Sequence, residues 1–417
     1  MKVASNAWKS ASTRRRCSVS VLSCLKLGVA ALLCASPAVY SLDIELTEEP
    51  IAPMRDYNIR IFDNLRLSFT GSMEVMYDDN VHTSENNEVD SFALIPRLGL
   101  AVDWPITPRI HLGSGGVVGY RYYLEDDVDS DVLVGFDDGL STNLKVDFFV
   151  GNGTLRLEER FSRQLSILEL NENNDYAVSR NRLSARYQVP LNPYMDLTIQ
   201  GSQRDTWNSE GDTQENTRHA LNSVVLWQAN PQLRIGPYIR WDNTDYDDAF
   251  NNDRQTYSSG ASFVYRRQDG IRFTGSLGYE LMDVDGAGDE KDGVVGNVGV
   301  QFDTSDYLSH YLRFSFDRDQ DLVEANANYS EEARYMYGLE WSVVKNLTIN
   351  GDVALLDIDE SDNGESAEIW QLGLGTSYQI NRRSRVSLQY DWRDRDSDLA
   401  NNSYSQNRYS VKLTHRF

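Results

Sequence analysis

Arg408-Tyr409-Ser410-Val411-Lys412-Leu413-Thr414-His415-Arg416-Phe417 ends the chain, and its alternation decides the fold. Successive side chains of an extended strand point to opposite faces. Tyr409, Val411, Leu413 and Phe417 therefore share one face, and Arg408, Ser410, Lys412, Thr414 and Arg416 share the other. One face is apolar, the other is wet, and the last residue is aromatic.

The same rhythm starts at Leu65. Leu65, Leu67, Phe69, Gly71, Met73, Val75 and Tyr77 alternate with polar residues. After a polar run, Phe92, Leu94, Pro96, Leu98, Leu100, Val102 and Trp104 form a return strand. Short turns follow at Pro105-Ile106-Thr107-Pro108, Gly151-Asn152-Gly153 and Pro190-Leu191-Asn192-Pro193, and recur near Asn230, Gln268, Ser305, Lys345 and Asn381. These are the residues that tight hairpins demand. Longer acidic loops alternate with the turns, among them 125–131, 205–216, 283–293 and 393–407. Short and long connections in strict alternation are the mark of a membrane barrel, with short periplasmic turns and long extracellular loops. The tally predicts an all-β, transmembrane, antiparallel up-and-down β-barrel of about 18 strands, within 16–18.

Composition agrees. Hydrophobic residues are 40% of 417, below the roughly 45–50% usual for a domain with a packed core. A barrel with a watery lumen needs apolar residues on its outer face only. The 23 tyrosines suit the membrane–water girdles, where an amphipathic ring fits both phases. A net charge of −23 argues against nucleic acid as a partner.

The chain opens on a different pattern. Arg14-Arg15-Arg16 precedes an apolar run from Val19 to Leu33 and then Ala35-Ser36-Pro37-Ala38-Val39-Tyr40-Ser41. This is a secretory signal, with cleavage after Ala38 or Ser41. All three cysteines, Cys17, Cys24 and Cys34, lie inside it, so no disulfide framework or thiolate metal site is expected beyond it. The organisation read here is a signal peptide over 1–41, a periplasmic N-terminal segment over 42–64 and the barrel over 65–417. The last strand, ending in Phe417, resembles the closing strand of Gram-negative outer-membrane β-barrels. On that resemblance Tyr409, Val411, Leu413 and Phe417 form the signal read by the barrel assembly machinery, and the location is the cell outer membrane.

The polar face of each strand is the expected lumen. It carries Arg156 and Arg160 on one strand, Arg182 and Arg186 on the next, then Arg204, Arg234 and Arg240. Arg272, Arg313, Arg334, Arg385 and Lys412 follow on later strands. Glu158, Asp196, Glu280, Asp317, Glu340, Asp352 and Asp391 share that face. Two readings stand: a wall of cross-strand ion pairs, or a guided path for an anionic solute, since guanidinium recognises carboxylates in bidentate fashion. Between Thr154 and Leu170 the pattern is irregular, because Glu159 and Arg163 share a face with Leu157, Phe161 and Leu165. A mid-bilayer Arg facing lipid costs about 2–4 kcal/mol, so either a bulge shifts the register or these residues lie at the interface.

No enzyme, cofactor or metal is expected. The five histidines are scattered, with no serine or acid at informative spacing. The acidic loop from Asp283 has Val294 at its twelfth position, so it is not an EF-hand.

Leu67-Ser68-Phe69 through Met76-Tyr77-Asp78-Asp79-Asn80, then Ile95-Pro96-Arg97-Leu98-Gly99-Leu100, resembles the opening of the putative β-barrel porin 2 family. The resemblance implies a passive channel or a barrel linked to exopolysaccharide export, with polysaccharide or an export complex as partners beside outer-membrane lipid and lipopolysaccharide. The alternatives are a general diffusion porin for small solutes, and a structural or adhesive surface barrel with a plugged lumen.

Overall fold

The computed structural model describes residues 59–60, 64–86, 88–125, 131–134, 142–165, 177–208, 215–246, 253–267, 270–284, 291–319, 330–360, 365–399 and 402–417. The signal peptide over 1–41 and most of the segment over 42–64 lie outside the described residues, as do much of the long acidic loops and Gln268-Asp269 of one expected turn.

Among the described residues the chain is a closed, wholly antiparallel barrel of 18 staves. They are β1 (Arg66–Asp78), β2 (Ser91–Thr107), β3 (Ile110–Tyr123), β4 (Asp131–Val134 continued by Thr142–Val150), β5 (Gly153–Leu165) and β6 (Ala177–Asn192). Next come β7 (Met195–Asn208), β8 (Asn216–Gln228), β9 (Leu233–Tyr246), β10 (Arg254–Arg266), β11 (Arg272–Val284) and β12 (Lys291–Ser305). The last are β13 (Leu308–Asp319), β14 (Ser330–Val344), β15 (Leu347–Glu360), β16 (Ser366–Gln379), β17 (Ser384–Ser397) and β18 (Tyr404–Arg416). Each pairs with its sequence neighbour, and β18 closes on β1.

Three details sharpen the sequence reading. The first turn is tighter than expected, because β2 runs through Thr107 and leaves only Pro108-Arg109 outside the strands. Pro105 sits where the register shifts, which suits a residue without an N–H to give the ladder. β4 is described in two pieces, which pair with successive parts of β3, and residues 135–141 lie outside the described residues. In β5 there is no bulge: pairing with β6 runs unbroken from Leu165↔Ala177 to Thr154↔Gln188. Glu159 and Arg163 therefore stay on the outer face with Leu157.

The outer face is apolar and uncovered. Leu98 is 66% and Leu277 65% exposed, and a soluble protein rarely leaves so many large apolar side chains in water. No helix of the described residues is long and apolar enough to cross a membrane. Here strands cross it. The inner face is less uniformly polar than its alternation suggested. Near the long-loop end, Met76, Ala93, Ile95 and Tyr123 form a buried inward cluster, and Leu356, Ile358 and Ile369 form another.

The seam between β1 and β18 is bonded on both faces. Outside, one register row places Tyr390, Tyr409, Tyr77 and Phe92 side by side. Ring centroids are 4.9 Å apart for Tyr390–Tyr409 and 4.9 Å for Tyr77–Phe92. Inside, the fully buried Asp78 carboxylate accepts from Arg408 Nε at 2.7 Å and Gln406 Nε2 at 2.9 Å. At the other end, the Phe417 N–H donates to the Phe69 carbonyl at 3.1 Å. The Phe417 ring lies over Gly71, where an added Cβ would meet it at 3.1 Å. Ile59–Arg60 pairs with Leu67 and Arg66 just below that end of the seam.

Removing one partner of a buried, hydrogen-bonded charge pair costs about 3–5 kcal/mol. Asp78→Leu is expected to lower barrel stability by that amount in urea unfolding from lipid vesicles. A loss under about 1 kcal/mol would show that the seam does not depend on this carboxylate.

Candidate functional site

The inner face of β5 to β8 gathers arginine. Each sits at an alternate position opposite outward residues such as Leu157, Leu183 and Leu221, which are exposed on the other face. The register aligns them: Arg160 faces Arg182, Arg182 faces Arg204, and Arg204 faces Arg218. Four guanidinium groups thus occupy one row across four adjacent strands. Two inward positions nearer the short turns, beyond the Glu158–Ser184 pair, Arg156 faces Arg186. Arg156, Arg160, Arg182 and Arg186 line one cleft with Glu158 and Gln200.

Acids anchor the edges of this stripe. Arg156 holds Asp147 with Nε to Oδ1 at 2.7 Å and Nη2 to Oδ2 at 3.3 Å, the fork geometry of a bidentate pair. Arg160 Nε reaches Glu158 Oε1 at 2.6 Å. Arg218 Nε reaches Asp242 at 3.1 Å, and Arg240 binds the same carboxylate, so the row continues into β9. Glu158 and Asp196 are the acids on the described inner face of β5 to β8, and Asp196 pairs with Arg234 of β9. The stripe is strongly cationic as a whole.

The other basic residues of the expected lumen stand elsewhere. Arg272 faces Arg266 near the short-turn ends of β11 and β10. Arg313 lies opposite Gly299 and Met336, and Arg334 pairs with Glu332 at 3.7 Å. Arg385 faces Thr414, and Lys412 faces Glu74. Glu340 and Asp352 lie on β14 and β15, nine staves from β5 and β6, so the basic stripe and these acids occupy opposite walls. Asp352 leans over Gly373, where an added Cβ would meet its Oδ1 at 2.6 Å. Tyr409, Val411, Leu413 and Phe417 all point outward and are about half exposed.

Three groupings escaped the sequence. Arg218 completes the row, but it lies between Thr217 and His219 at the loop end of β8, where no apolar neighbour marks the face. His111 binds Asp103 across the β2–β3 hairpin, and His415 Nδ1 lies 3.0 Å from Ser384 Oγ. The His415 ring meets Phe417 edge-on, with ring centroids 5.1 Å apart. Among the described residues no group of three or more His, Cys, Asp or Glu could hold a metal ion.

Fold and inner face define an outer-membrane β-barrel of porin architecture, located in the outer membrane. Residues 314–417 match the model of a family described as "Putative beta-barrel porin 2", the family that the opening hairpin resembles, although the match lies at the other end of the chain. Solved structures with a similar fold include Pseudomonas aeruginosa OpdK with vanillate, at 13% identity and TM-score 0.46, covering 84% of this chain and 99% of that one. OccK2 (OpdF) of the same organism in complex with glucuronate shows 12% identity and TM-score 0.48, covering 85% and 98%. A BenF-like porin from Pseudomonas fluorescens Pf-5 shows 12% identity and TM-score 0.48, covering 84% and 99%. No curated protein matches the sequence.

Like charges placed directly opposite across a ladder are destabilising, and cross-strand pairs are worth about 0.2–1 kcal/mol. Arg182→Gln, flanked by Arg160 and Arg204, is expected to raise unfolding stability by an amount in that range. A clear loss of stability would mean that the row is a structural ion-pair wall.

Proposed function

We propose that the barrel is a channel for small anionic solutes and that the arginine stripe on β5 to β8 is the element that recognises them. The row Arg160–Arg182–Arg204–Arg218 carries this reading. The row brings four guanidinium groups together against few acids of its own strands, and each guanidinium is a planar fork that fits a carboxylate or phosphate. Barrels of 16–18 strands generally enclose an aqueous channel. A charged stripe along such a wall raises the local concentration of the opposite charge and speeds its entry.

The acidic loops favour the opposite sign at the mouth and support a general, cation-preferring diffusion porin as the alternative. The stripe weighs against it, because selectivity is set where solute and wall are nearest. Export of a polysaccharide, and a structural or adhesive role with a plugged lumen, have no observation in their favour among the described residues. No step of the proposed function calls for an enzyme, a cofactor or nucleic acid. The partners it calls for are lipid and lipopolysaccharide around the outer face and the assembly machinery at β18.

The test is uptake by proteoliposomes of a small carboxylate against a neutral sugar of equal size. Arg182→Glu combined with Arg204→Glu is expected to lower the carboxylate-to-sugar ratio several-fold at undiminished assembly. An unchanged ratio would remove the stripe from selectivity.

A further inference from the structure

The Tyr77-Asp78-Asp79-Asn80 motif joins the seam to the β1–β2 connection. Asp78 belongs to the seam, but Asp79 and Asn80 begin the connection from β1 to β2, and they also reach β18. Asp79 Oδ1 accepts from the Asn407 backbone N–H at 2.6 Å, and Asp79 Oδ2 accepts from Asn407 Nδ2 at 2.7 Å. The Asn80 carbonyl accepts from Gln406 Nε2 at 2.7 Å, and Asn80 Nδ2 donates to the Ser405 carbonyl at 3.0 Å. Asn80 is 1% and Gln406 3% exposed, so water does not compete for the bond between them.

The connection then turns inward. Val81 and Val89 bond through their backbones at 2.9 Å and pack on the inward cluster of Met76, Ala93, Ile95 and Tyr123. Ala93 and Ile95 are completely covered. The turn between the valines is strained. Thr83 has φ of 50°, a left-handed conformation that a β-branched residue seldom takes. Asn80 holds that turn, accepting from the Ser84 N–H at 3.0 Å and donating to the Ser84 carbonyl at 2.9 Å.

We infer that the β1–β2 connection is a strap drawn into the extracellular mouth by barrel closure itself, and that it fixes the width of that mouth. Its two anchors differ in kind. The polar anchor exists only when β18 lies beside β1. The apolar anchor exists only when the strap lies against the inner wall of β2 and β3. Both anchors together hold the strained turn over the lumen, so the mouth is narrow only in a fully closed barrel. The inference rests on the channel reading.

Val81→Asp combined with Val89→Asp tests it in the whole protein, because the pair disrupts the apolar anchor and leaves the seam intact. Glu85 and Glu88 lie in the strap, so a glutamate-specific endoproteinase reports its release. The expected result is several-fold faster cleavage there and a larger single-channel conductance in planar bilayers, with unheated gel migration still that of a closed barrel. Faster cleavage at unchanged conductance would overturn the strap as the element that sets the width. Unchanged cleavage would overturn the apolar anchor. Asn407→Ala, which removes one Asp79 contact and the acceptor of the Tyr390 hydroxyl at 2.8 Å but no seam charge, is expected to give a smaller change of the same sign in both readouts. It carries the test if the double variant does not assemble, and no change in it would overturn the polar anchor. Silence of wild type and variants alike would refute the channel reading rather than the strap.

Discussion

A backbone in hydrocarbon must satisfy every N–H and C=O within the protein, and this chain meets that requirement only by joining β1 to β18. An unjoined sheet of 18 staves would expose two unpaired edges to lipid. The seam therefore carries more than a ladder. A row of aromatic rings closes it outside, Asp78 closes it inside, and Phe417 seals its short-turn end against Gly71. The same constraint accounts for the outer face: once the backbone is satisfied, exposed leucines there are solvated by lipid and need no protein partner.

Closure also places the charges. Alternation puts each arginine on the inner face, but the antiparallel register decides which arginines meet. The pairing of β5 to β8 turns residues that are far apart in sequence, Arg160 and Arg218 among them, into one row. The stripe thus follows from register, and the register follows from the hairpin turns that set each strand's start. Glu340 and Asp352 reach the facing wall for the same reason, since the count of strands around the ring puts β14 and β15 opposite β5 and β6.

Much of the fold was legible because period-two alternation and turn chemistry are local signals. Tyr409, Val411, Leu413 and Phe417 marked the outer face correctly, and Gly151-Asn152 marked a turn whose glycine takes a left-handed φ of 61°. What could not be read was set by contacts between distant segments. Met76 and Ile95 alternate as lumen residues should, yet they are buried, because the β1–β2 connection folds over them. Asp78 stood in a local motif at the end of the first strand, whereas its partners lie more than three hundred residues away. Of the candidate site, the arginines themselves were visible, but the row was not, and Arg218 was hidden by polar neighbours at the end of its strand.

The reversal potential of the wild-type barrel in a planar bilayer, under a salt gradient, separates selectivity set by the arginine stripe from selectivity set by the loops. A channel whose selectivity is set by the stripe gives the sign of preferred anion passage, and raising the ionic strength weakens the preference as the guanidinium charges are screened. A cation-preferring potential would contradict that account and assign selectivity to the acidic loops. A correctly folded barrel that conducts nothing would contradict the channel itself.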